Sequence, residues 1–151
     1  MSVSVISESY DEFEWKKSKD GKVYTLQKEA TIVLYMDYRG ENRYYEFKFK
    51  KNFKCDGLSV PKIFQWFLPS WKEDNMLYNL AGVVHDAIYG NKGYNIFTRE
   101  EADAIFRCLL RHSGQNRLHA SLADFMLGLF ACCHWGDDDL KSKKLVTCKQ
   151  I

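Results

Sequence analysis

The chain has 151 residues, 46% of them hydrophobic and 15% aromatic, which is enough for one folded domain with a sizeable core. Its formal net charge is +2, too close to neutral to carry nucleic-acid binding by electrostatics alone. No apolar run is long enough to span a bilayer, and Met1-Ser-Val-Ser-Val-Ile lacks the basic and apolar regions of a secretory signal.

Only the first and last few residues read as tail. A strand-like character holds up to about position 57, with helical patterning after it. Strands are expected within 22–27 and 29–38, where Ile32, Leu34 and Met36 share one face. Arg39-Gly40-Glu41-Asn42 is a turn. From Arg43 to Lys50, Tyr45, Phe47 and Phe49 point one way while Glu46, Lys48 and Lys50 point the other. That period of two marks a half-buried strand, so 22–50 is expected to hold a hairpin.

Asp56-Gly57 signals a turn, and Ser59-Val60-Pro61 suits the start of a short helix over 62–68. A second helix is expected from about Asn75 to Tyr89, with Leu77, Leu80, Ala81, Val84 and Ile88 as its apolar stripe. Thr98-Arg-Glu-Glu101 is a capping box that opens a third helix to about His112, and Gly114 is its stop. Asp103 and Arg107 lie four apart on this helix and can pair. A fourth helix, apolar almost all round, is expected over 116–134. The expected fold is therefore a single α+β domain over 1–151: a small antiparallel N-terminal sheet packed against three to four helices.

The five cysteines show no CxxC spacing, which argues for thiols in a reducing compartment rather than a disulfide or zinc framework. The compartment this points to is a reducing cytoplasm.

His85-Asp86 falls inside an apolar helix, where bare polar groups cost several kcal/mol, roughly 2–7 per unpaired group. The candidate catalytic residues are His85, Asp86, Ser59, Asp56, Asp103 and Tyr89. His85, Asp86 and Asp103 are also candidate ligands for a divalent metal, since imidazole and carboxylates suit zinc, manganese or iron. Alternatively Ser59 is a nucleophile with His85 as its base. Each residue has a plainer role beside this: Ser59 as a helix cap, Asp56 as a turn residue, Asp103 at the positive end of a helix, and the His-Asp pair and Tyr89 as a structural network. No Gly-rich phosphate loop is present, and the aromatics do not interleave with a basic stripe.

Three segments carry a resemblance: Phe53-Lys-Cys-Asp56-Gly-Leu-Ser59-Val-Pro61, His85-Asp86-Ala-Ile-Tyr89, and Glu101-Ala102-Asp103. Over about 44–136 the chain resembles the DUF1353 family of small proteins, common in bacteriophages and prophages. That family carries an Asp-x-x-Ser-x-Pro stretch after a strand, an HDxxY helix, and an Ala-Asp at the start of the next helix. One departure is Cys55, where the family commonly has Thr. The resemblance implies a viral origin and the same six residues as a site, and it implies no reaction. From the cluster of His, Asp and Ser side chains a phage-encoded hydrolase acting on an amide or ester bond is expected. The plainer role of each residue and the aromatic segment near Trp66 give the alternative, a non-enzymatic virion or host-interaction protein whose partner is a phage or host protein. With the viral origin that the resemblance implies, the expected location is the host cytoplasm or a virion.

Overall fold

The computed structural model describes residues 2–56, 69, 71–116, 121 and 143–151. Among them are seven strands and two α-helices, and strand outweighs helix. This overturns the expected small sheet against three to four helices. The expected helix at 62–68 lies outside the described residues, as does most of the one at 116–134. The chain divides into two compact units, residues 1–55 with 138–151, and residues 56–137.

The first unit contains two antiparallel sheets. One has the order β1-β4-β5-β7, from strands Val3–Tyr10, Ala30–Tyr38, Glu41–Phe49 and Val146–Gln150. The other has the order β2-β3-β6, from Trp15–Lys17, Tyr24–Leu26 and Lys54–Cys55. The expected hairpin is β4–β5, in register from Ala30 opposite Phe49 to Tyr38 opposite Glu41. Its loop is only Arg39-Gly40, both with positive φ (53° and 91°). Such a primed turn matches the right-handed twist of the strands it joins. Asp37 Oδ1 fastens it by accepting the Gly40 N–H at 2.9 Å.

Alternation along the hairpin places Ile32, Leu34, Met36, Tyr45, Phe47 and Phe49 in the core, each almost wholly buried. Phe49 packs edge-on against both Phe13 and Phe53.

The two ends of the chain are strands, not tails. β1 pairs with β4 and β7 pairs with β5. Their sequence signals are faint: Val3 and Val5 alternate with serines, and Val146-Thr-Cys-Lys-Gln is short and polar. What recruits them is the row of unpaired backbone donors and acceptors along the central hairpin. A bulge between Val5 and Ser7 turns the exposed Ile6 out of the ladder.

In the second unit, α1 (Met76–Gly90) is buried along its length except at Met76 and Asp86. It is a core helix rather than an amphipathic surface helix. Asn75 caps it, its side-chain oxygen accepting the Tyr78 N–H at 3.1 Å. α2 (Arg99–His112) opens with the complete Thr98/Glu101 capping box and is followed by Gly114 at φ +100°. The two helices run in opposite directions. His85 meets Phe106 near the connection, and Asn75 Nδ2 donates to the Ser113 carbonyl at the far end, 2.9 Å away.

The connection between them is unusual. Lys92, Gly93, Tyr94 and Asn95 all have positive φ (49°, 75°, 57° and 59°). Left-handed backbone costs an ordinary residue roughly 1–2 kcal/mol, and three of these four have side chains.

Candidate functional site

α1 presents His85 and Tyr89 one turn apart, so both rings lie on one face; their centroids are 4.2 Å apart. Asp103 stands one turn inside α2, where the antiparallel helix pair brings it opposite them. His85 Nε2 lies 2.8 Å from Asp103 Oδ1, and the Tyr89 hydroxyl donates to the same oxygen at 2.7 Å. Both bonds are satisfied together when Asp103 Oδ1 accepts from each, with the His85 ring proton on Nε2.

The His85 side chain is 6% exposed and the Asp103 side chain 19%, so Asp103 is the more open member of a largely buried pair. Phe106 closes one side of the imidazole, with ring centroids 5.2 Å apart. Burial pushes the Tyr89 phenol well above the usual tyrosine range, and the hydrogen bond to Asp103 and its negative charge push it further. Tyr89 therefore stays a proton donor across neutral pH.

Three of the six candidate residues thus come together: His85, Tyr89 and Asp103. Asp86 is half-buried on another face of α1, and Asp56 is exposed just past β6. Ser59 lies outside the described residues. Among the described residues no three His, Cys, Asp or Glu side chains gather into a metal-holding group, so Asp86 does not complete one with His85 and Asp103. The cysteines described, Cys55, Cys108 and Cys148, form no disulfide; Cys55 is buried and the other two are half-buried. Burial pushes the Cys148 thiol up to about 12, which disfavours its thiolate form.

Sequence reasoning did not single out Phe106 as a wall of the site, because it reads as one more residue of an apolar face. It also passed over Asn79. This buried amide accepts the Lys72 N–H at 2.8 Å and donates to the Lys72 carbonyl at 2.7 Å. Next to it, the Tyr78 hydroxyl donates to the Pro69 carbonyl. An asparagine inside an apolar run, four residues after a capping asparagine, was the available signal. These contacts pin the strand of chain before α1 onto the helix that carries His85.

The comparisons add one finding. A family model described as a protein of unknown function, DUF1353, matches residues 30–125. The match starts ahead of the resemblance read from the motifs and takes in all of β4. Neither the comparison with curated proteins nor that with solved structures finds a match. No helix among the described residues is long and apolar enough to cross a membrane. With the central hairpin, the HDxxY helix and the Ala102-Asp103 pair all inside the matched span, this chain belongs to the DUF1353 family.

Proposed function

We propose that the protein is a phage-encoded hydrolase acting on an amide or ester bond, with His85 as general base and Asp103 as the carboxylate that orients it. The supporting observation is the 2.8 Å bond from His85 Nε2 to Asp103 Oδ1, with the Tyr89 hydroxyl on the same oxygen. A carboxylate behind an imidazole fixes its tautomer and stabilises the imidazolium formed when it takes a proton. Nδ1 is then the atom that accepts a proton from the attacking water. Tyr89 holds the carboxylate in place and spreads its charge.

The test is hydrolysis of a panel of acyl esters and acyl amides by the purified chain, with His85→Ala and Asp103→Asn beside it. General-base catalysis contributes about 10²–10⁴-fold, so both variants should lose at least about a hundredfold in rate. Absence of turnover across the panel, joined with a phage carrying His85→Ala that grows like wild type, removes this reading.

A second reading is favoured by the burial of His85 and Tyr89. In it the same hydrogen bonds clasp α1 to α2 in a non-enzymatic virion or host-interaction protein. Mass spectrometry of purified particles tests the virion form, which requires the chain to be present in them.

A further inference from the structure

We propose that the left-handed turn Lys92–Asn95 is a latch on the site: closed, it keeps the Tyr89 hydroxyl on Asp103, and it opens by local return of the turn to ordinary backbone, which takes that hydroxyl off the carboxylate. The inference rests on the reading of His85 and Asp103 as a site. Four consecutive residues with positive φ are a costly way to join two helices, since short unstrained connections are common between antiparallel helices. Strain of this kind persists only where surrounding contacts enforce it.

Here the enforcing contacts are identifiable. Asn91 Nδ2 donates to the Ala87 carbonyl and to the Tyr94 hydroxyl, both at 2.9 Å, and so ties the turn to the last turn of α1. The Tyr94 N–H reaches the Asn91 carbonyl, and the Ile96 and Phe97 N–H groups converge on the Gly93 carbonyl at 2.8 and 2.9 Å. Gly93 within the turn and Phe97 just after it are buried.

The turn is also placed to act on the site. It begins just after Tyr89, and it ends at α2, whose Asp103 receives the Tyr89 hydroxyl. Arg99 and Glu100, at the far end of the connection, are near enough for their charges to act on the Tyr89 phenol. The turn joins the two helices that carry Tyr89 and Asp103, so its change of hand is the motion by which the latch acts on the pair.

Native-state amide hydrogen exchange on the full chain tests this. Asn91→Ala removes the tie and should speed exchange at Ile96 and Phe97 by roughly tenfold, while amides in the middle of α1 keep their wild-type rates. Lys92→Gly relieves one strained residue and should slow the same two amides by roughly fivefold. The latch is overturned if Ile96 and Phe97 change only in step with α1, or if Lys92→Gly speeds them. Should Asn91→Ala fail to fold, Lys92→Gly decides alone. Neither readout uses catalysis, so loss of the latch leaves the hydrolase reading standing, and loss of hydrolysis leaves the latch to be judged by exchange.

Discussion

His85 and Asp103 sit on different helices and share a hydrogen bond of 2.8 Å, and the Tyr89 hydroxyl ends on the same carboxylate oxygen. The pair is a polar link between α1 and α2 near their connection. Truncating one partner orphans the other in a largely buried setting. A double-mutant cycle of His85→Ala and Asp103→Ala, followed by urea unfolding, should give a coupling of about 1–3 kcal/mol. A coupling near zero would mean that the contact holds nothing together. Asp103→Asn separates the two readings: a purely structural clasp loses stability, whereas catalytic groups are often neutral or stabilising to remove.

Alkaline pH should weaken the fold. Burial raises the Tyr78 and Tyr89 phenols above their ordinary value of 10.0 and the Cys148 thiol from 9.0 to about 12. The folded chain holds these protons more tightly than the unfolded one. Their contribution is therefore complete below about pH 9 and is lost progressively as pH climbs through the folded values. Phenolate absorbance during a base titration should show Tyr78 and Tyr89 ionising only as the protein unfolds. Simultaneous ionisation of all the tyrosines in a still-folded chain would contradict the burial.

The start of α2 rests on a reciprocal cap. Thr98 Oγ1 accepts the Glu101 N–H at 3.1 Å, and Glu101 Oε1 accepts the Thr98 N–H at 2.9 Å. Thr98→Ala should cost about 1 kcal/mol in a denaturant melt. Thr98→Ser should recover most of that loss, because the hydroxyl is the part that caps.

Leu34 lies at the centre of the β4–β5 hairpin and is fully buried, while its neighbour Val33 points to the half-exposed face. Leu34→Ala should cost about 2–5 kcal/mol, and Val33→Ala clearly less, by urea unfolding. Equal costs at the two positions would mean that the strand has the wrong face inward.

The family match itself attaches no chemistry to the chain, so the reaction has to be argued from the residues. Of the six that the motifs single out, the helix pair brings together His85, Tyr89 and Asp103 and leaves Asp86 on another face. The metal-triad expectation depended on Asp86 turning toward Asp103. It is adjacent to His85 in sequence, and adjacency on a helix rotates a side chain about 100° away.

Local physics was legible in the amino-acid order. Alternation from Ile32 to Met36 and from Tyr45 to Phe49 announced a two-faced hairpin, and the structure buries those positions. Thr98 and Glu101 announced their own reciprocal cap, and Asn75 marked the start of α1. Each of these depends on residues within a few positions of one another, so periodicity and side-chain chemistry suffice to read them. Tertiary structure alone decided the rest. The chain ends became sheet edges because the hairpin's free backbone groups needed partners, which Val3 and Val146 do not advertise. Asp103 went to His85 and Tyr89 because two antiparallel helices carry it there, a meeting across 18 and 14 residues that local pattern does not encode.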